Sequence, residues 1–243
     1  MRAAGAEFDH GESLASARRE GISRSSIVAD LQRSLNEDGF YVVAGRRLRK
    51  ALGLFRNYMI ARKLGVRQVE VGRHSTLRGL QYVQLGEDFV ALDGFWLHAI
   101  SQYGSQQFIP RIIIGNRVRV SQWVHIAATH HVEIGDDVLI GSKVIITDHN
   151  HGQYSAAHTS PDVAPSLRPL DADRQVVIGK NVWLGDGVAV ASGATIGEGS
   201  VIGANSVVMG HIPRFSLAAG APARVIKIFD FSLKKWVPVE RRV

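Results

Sequence analysis

Ten histidines and no cysteine stand in this chain of 243 residues. Two of the histidines share one short run, Thr147-Asp148-His149-Asn150-His151-Gly152. Imidazole has a reference pKa of about 6.5, so near neutral pH it is the side chain best matched to take a proton from an alcohol hydroxyl. His149 and His151 are therefore candidates for a general base. Asp148 is a candidate for gripping hydroxyl groups or for capping the turn. His125, His130 and His131 crowd a second stretch upstream and are candidates for the lining of a binding site. The lack of cysteine excludes a cysteine nucleophile, a thiolate zinc site and a disulfide scaffold.

A base is useful only if something rigid holds it, and the sequence supplies a repeat that would. Ile178, Leu184, Val190, Ile196, Ile202 and Val208 recur every six residues. Small residues follow the first five: Gly179, Gly185, Ala191, Gly197 and Gly203. The beat returns upstream at Ile114, Val120 and Ile126, then at Ile134, Ile140 and Ile146. A weaker version runs through Val71 and Leu77, then Leu85, Ala91 and Leu97. Helices repeat near 3.6 residues and half-buried strands near 2, so a period of six fits neither alone. It fits a chain that turns a corner every six residues, points its aliphatic anchors inward and stacks coil upon coil at strand spacing. The expected fold is an all-β solenoid, a parallel β-helix of hexapeptide type, over residues 69–228. Two anchor steps, Leu77 to Leu85 and Ile126 to Ile134, are eight residues long instead of six. A long loop at 148–176 interrupts the beat and carries both candidate bases, as loops on rigid scaffolds commonly do.

The remainder is an appendage with a different character. The net charge is +7, yet residues 1–68 hold 13 Lys and Arg against 7 Asp and Glu, while the rest is close to balanced. Arg46 to Arg67 contains eight basic residues and no acid. Leu48, Leu52, Phe55 and Met59 fall among them at helical spacing. Residues 26–68 are therefore expected to include a basic amphipathic helix. Its apolar stripe would lie either on the rest of the protein or on an anionic membrane surface. No nucleic-acid motif accompanies the charge, so no nucleic-acid partner is expected. Residues 1–25 are expected to lack fixed structure, and residues 229–243 form a tail. The chain has no apolar run of spanning length and no apolar stretch within Met1 to Arg24, so a cytoplasmic location is expected, with peripheral contact at the inner membrane as an option.

From Ile134 to Lys227 the chain resembles the hexapeptide-repeat O-acetyltransferases, closest to the sugar acetyltransferases of lipopolysaccharide, O-antigen and capsule biosynthesis and more distantly to the galactoside and maltose acetyltransferases. The residues that carry the resemblance are Ile178-Gly179-Lys180-Asn181-Val182-Trp183-Leu184-Gly185, Ile202-Gly203-Ala204-Asn205-Ser206 and the ending Ala219-Gly220-Ala221-Pro222-Ala223-Arg224-Val225-Ile226-Lys227. The run from Thr147 to Gly152 and the tail Phe229-Asp230-Phe231 with Trp236 are similar to the lipopolysaccharide branch. The resemblance implies a left-handed coil, a homotrimer, and acetyl-CoA as acyl donor in a groove between subunits. It also implies a loop histidine that deprotonates a saccharide hydroxyl for direct attack on the thioester, with no metal. The saccharide acceptor would be lipid-linked or nucleotide-linked.

Residue by residue, the resemblance places Ala204 at the pantetheine arm, with Trp183 and Asp186 in the flanking coil. It sets Arg224 and Lys227 near the adenosine phosphates. Gly185 is the candidate donor of a backbone N–H to the thioester oxyanion. In the galactoside and maltose enzymes the base lies sixteen residues after a glycine that matches Gly135, and that count selects His151 ahead of His149. The acid of those enzymes is replaced by Thr129, so their acceptor contacts do not carry over, and His125, His130 and His131 stand as acceptor candidates instead. Two other readings share the scaffold. One is a non-catalytic trimeric β-helix. The other is a zinc enzyme resembling the trimeric β-helix carbonic anhydrases, for which His125 and His130 have the spacing of two ligands while Phe89 occupies the place of the third.

Overall fold

The computed structural model of the protein describes residue 32, residues 40–154 and residues 159–239. The segment expected to lack structure, 1–25, lies outside the described residues. The chain divides into two units, Met1–Leu52 and Gly53–Val243.

The second unit contains a parallel β-helix, as the six-residue period requires, and it is left-handed, as the family resemblance implies. Ile178 pairs with Ile196, Leu184 with Ile202 and Val190 with Val208, each eighteen residues on, so three hexapeptides close one coil. Two six-stranded walls and one nine-stranded wall result among the described residues. The anchors fill the interior: Ile126, Ile140, Ile146, Leu184, Ile202 and Val208 are fully buried. The residues four places after the anchors, Val182, Val188 and Ala194, are buried with them.

Two residues in each hexapeptide make the corner, by different physical means. Asn181, Gly187, Gly193, Gly199 and Asn205, each three places after an anchor, have φ between 56° and 82°. This is the left-handed region that glycine and asparagine enter at least cost. The small residue directly after the anchor serves close approach instead. A Cβ on Gly185 would stand 2.7 Å from the Ala204 nitrogen of the next coil. The tight turn thus belongs to the first set and the close stacking to the second.

Both eight-residue steps are corners with extra chain. At the first, a 3₁₀ turn Leu80–Tyr82 takes up the extra residues. At the second, the strands His125–Ala128 and His131–Ile134 meet at a corner formed by Thr129 and His130. The long loop is not featureless, since Asn150–His151 pairs antiparallel with Leu170–Asp171. At the carboxyl end, Arg224–Asp230 folds back antiparallel on Ser216–Ala219, and Lys235–Pro238 pairs outside it. Within the expected tail from 229, Phe229, Asp230 and Lys235–Pro238 thus extend a wall of the solenoid. Phe229 contacts Phe231 and Trp236 with ring centroids 5.0 and 5.4 Å away.

The helix runs from Phe40 to Leu64. Among the described residues no helix is long and apolar enough to cross a membrane. Within the second unit, Ala61 is buried, and Ile60 and Leu64 pack against the core. Arg56 donates to the carbonyls of Val71 and Gly72. Phe55 and Met59, from the apolar stripe read as packing on the protein or facing a membrane, are 63% and 51% exposed. The stripe read from spacing is therefore not the packed face. The contact face is offset around the helix and is made by Arg56, Ile60, Ala61 and Leu64.

Candidate active site

The second eight-residue step and the start of the long loop meet at one carboxylate. Asp148 is fully buried. Its oxygens accept the backbone N–H groups of Thr129 (2.9 Å), His130 (2.8 Å) and His131 (2.8 Å), and the Thr129 hydroxyl at 3.1 Å. The extra residues of the corner would leave these donors without ladder partners, and a buried unpaired N–H is costly. A carboxylate satisfies all of them. Ser192 of the next coil donates to the Asp148 carbonyl at 2.7 Å and fixes the backbone from the other side. Asp148 therefore does not face a saccharide; it is the internal tie of the corner.

The remaining partner of that carboxylate is a candidate base. His149 Nδ1 lies 2.9 Å from Asp148 Oδ1 and 3.1 Å from the Thr147 hydroxyl, with its side chain 12% exposed. Burial alone would push the Asp148 carboxyl up; the hydrogen bond from His149 and the N–H groups of Thr129 and His130 outweigh it and hold the carboxyl below its usual range. An ionised carboxylate on Nδ1 fixes the Nδ1–H tautomer and leaves Nε2 as the proton acceptor. Among the described residues Nε2 has no hydrogen-bond partner.

His151 lies in different surroundings. It is exposed, paired with Leu170 in the loop ladder, and its Nδ1 is 3.2 Å from the Tyr103 hydroxyl. Tyr103 in turn donates to the Ser166 carbonyl at 2.7 Å, and Gln106 exchanges two hydrogen bonds with the Leu170 backbone. The antiparallel pair Gln102–Tyr103 and Gln106–Gln107 thus straps the long loop down. Neither Tyr103 nor Gln106 stood out in the sequence, because only the fold brings them to residues more than forty positions away.

Of the other histidines, His125 gathers with His149 and His131 does not. His125 faces outward on the wall and stacks on Trp96, centroids 4.2 Å apart and planes 8° from parallel. Burial lowers its pKa, and the nearby His149 and His98 lower it further. His98 is shifted the same way by burial, Arg78 and His149. His98 belongs to the site's surroundings and was missed as such in the sequence. Its signal lay in the register, since Trp96 pairs with His125 and His98 therefore points outward beside it. His131 sits on another wall, its Nε2 3.3 Å from Glu133. His130 is exposed at the corner.

The donor candidates separate into exposed groups and groups engaged within the solenoid. Gly185 N–H donates to Ile202 O at 2.9 Å as a rung of the ladder, so it is not available to an oxyanion. Asp186 Oδ1 takes the Ser142 N–H at 2.6 Å. Asn116 and Asp136 do the same at equivalent corners, for Glu87 and Asn116 respectively, so Asp186 is a corner tie. Trp183, Ala204, Arg224 and Lys227 are exposed. Arg224 and Lys227 share the strand that closes the solenoid's end.

Residues 175–210 match the family model described as bacterial transferase hexapeptide (six repeats). A protein of Escherichia coli (strain K12), the candidate lipopolysaccharide biosynthesis O-acetyl transferase WbbJ, is 43% identical over 156 residues, which cover 63% of this chain and 76% of that one. The chain belongs to the hexapeptide-repeat O-acetyltransferase family. This acetyltransferase is also similar in fold to the N-acyltransferase AntD from Bacillus cereus, solved with dTDP and 3-hydroxybutyryl-CoA. There the identity is 16%, the TM-score 0.52, and 70% of this chain and 82% of that chain are covered, a likeness that bears on fold alone. Among the described residues of the acetyltransferase no three His, Cys, Asp or Glu side chains are grouped to hold a metal ion, and Phe89 is buried in the core.

Proposed function

We propose that the enzyme transfers an acetyl group from acetyl-CoA to a saccharide hydroxyl during the making of a surface polysaccharide, lipopolysaccharide or capsule, with His149 as general base. The observation that carries this reading is the 2.9 Å contact between His149 Nδ1 and a buried carboxylate. Nε2 takes the hydroxyl proton as the oxygen attacks the thioester carbonyl. The C–S bond breaks, and the imidazolium returns the proton to the departing thiolate. Asp148 keeps the ring oriented and stabilises its charged form. What supports His149 over His151, which the family count puts first, is the carboxylate partner; His151 has a tyrosine hydroxyl instead. His98 and His125, both disfavoured as cations, flank the base as neutral groups able to hydrogen-bond the acceptor.

Arg224 and Lys227 suit the donor phosphates, since cations pair with phosphate oxygens. Trp183 and Ala204 are proposed along the pantetheine arm. The proposed assembly is a homotrimer. Its support is an outward column on the nine-stranded wall, where Arg119 is followed by Leu139, Trp183, Val201 and Leu217 in register. Such a continuous apolar strip on a soluble solenoid calls for a cover.

The base assignment is tested by turnover of acetyl-CoA with a confirmed acceptor. His149→Ala is expected to lower kcat by about 10²–10⁴, the usual worth of a positioned base. His151→Ala should keep most of the activity. The opposite pattern would transfer the role to His151.

A further inference from the structure

A cleft of about 630 Å³ opens between the 106–109 segment, the corner at Thr129 and His130, and the loop strand Leu170–Asp171. This size falls within the roughly 300–1,000 Å³ span of small-molecule sites. It does not contain His149 or His151, yet it is mechanically joined to both. Thr129 lines the cleft and donates to the carboxylate that holds His149. Leu170 lines it and pairs with His151.

The lining selects the ligand. Among the described residues it includes Asp171 and Asp173 and no lysine or arginine. Adenosine phosphates and the diphosphate of a sugar nucleotide are therefore repelled, because two carboxylates meet them with no cation to offset the charge. Gln107, Gln153 and His130 offer further donors and acceptors. Phe108 and Ile109 add apolar surface, and Ile109 is 87% exposed. Amides and carboxylates beside exposed apolar carbons match a neutral sugar ring, whose hydroxyls seek hydrogen bonds and whose C–H faces seek apolar contact.

We infer that this cleft is a second saccharide subsite that holds a neutral sugar residue next to the one being acetylated. The acceptor is then an assembled glycan and not a single nucleotide-linked sugar. The inference rests on the acetyl-transfer reading above and narrows its substrate class. The long loop acquires a purpose in this account. One arm of its ladder carries His151 and follows the base, and the other forms a wall of the subsite.

The experiment combines binding and turnover on the full-length protein. Saturation-transfer NMR is run with a panel of neutral mono- to tetrasaccharides and with UDP-glucose and UDP-galactose, on wild type and on Gln107→Ala/Asp173→Ala. Stabilisation by coenzyme A serves as the check that the variant is folded. Wild type should bind oligosaccharides at least about tenfold tighter than monosaccharides, and the variant should lose about that factor, the worth of one or two hydrogen bonds. Equal binding of mono- and oligosaccharides, no binding by any oligosaccharide, unchanged binding in the variant, or preference for the UDP-sugars would each overturn the subsite. Failure of the base reading is seen separately, as full turnover by His149→Ala.

Discussion

Asp148 carries two loads with one carboxylate. It satisfies three backbone N–H groups at an irregular corner and it fixes the imidazole beside it. Removing it should therefore harm stability as well as rate. Asp148→Asn keeps the shape but loses the charge, and each buried hydrogen bond to a charged group is worth about 1.5–3 kcal/mol. A fall of at least about 2 kcal/mol in unfolding free energy is expected from urea denaturation at pH 7. The pH dependence has a definite sign. The carboxyl is held below its usual value in the fold, so its contribution is complete above the unfolded pKa of about 3.9 and is lost as pH falls through the folded value. His98 and His125, whose pKa values are also lowered, add a loss that begins as pH drops below their unfolded value of about 6.5. Wild type should therefore lose stability from about pH 6.5 downward, and Asp148→Asn should show a flatter profile below about pH 5. Parallel profiles for the two proteins would contradict the linkage assigned to this carboxylate.

The helix was legible in kind, while the sequence left open whether its apolar stripe packs on the protein or faces a membrane. Its basic and apolar residues promised an amphipathic stripe, and the second unit engages Ile60, Ala61 and Leu64 instead. Leu54, Phe55, Tyr58 and Met59 are left more than half exposed, with Arg62 and Lys63 one turn on. We propose this surface for peripheral contact with an anionic membrane, where a lipid-linked glycan would be met. Co-sedimentation of the full-length protein should be stronger with phosphatidylglycerol-containing vesicles than with phosphatidylcholine alone. Arg62→Glu and Lys63→Glu should each weaken it by about fivefold or more, given about 1 kcal/mol for each basic residue at such a surface. Equal sedimentation with both vesicle types would remove the membrane from the account. The solenoid walls are a contrasting case at the same scale. Apart from the seven-residue Arg224–Asp230, their strands are two to four residues long and would not persist alone, yet every strand inside a wall is paired on both sides.

At the scale of the whole molecule, the proposed trimer accounts for apolar residues that a lone solenoid leaves outside. Leu139 and Trp183 are register partners on an outer face and are 45% and 51% exposed. Light scattering on the eluting peak should give three times the chain mass of 26.5 kDa. Leu139→Glu combined with Val201→Glu should shift the protein to smaller species without loss of strand content by circular dichroism. A wild-type monomer at micromolar concentration would leave the column without its cover and refute the assembly.

Sequence alone determined the coil. An aliphatic anchor at every sixth residue is a local spacing, and only a chain turning at that interval can bury all the anchors at once, so Ile178 through Val208 declared the solenoid without reference to anything distant. The histidine run was legible in the same way, as chemistry in one short segment. Choosing between its two imidazoles was not. That choice depends on which ring meets the carboxylate at the Thr129 corner and which turns out along the ladder with Leu170, and these contacts join residues 17 to 48 positions apart. Gly185 and Asp186 give the same lesson from the donor side. Their identities suit a binding site, but stacking had already committed the N–H of one and a carboxylate oxygen of the other to neighbouring coils, a commitment made only when the coils meet.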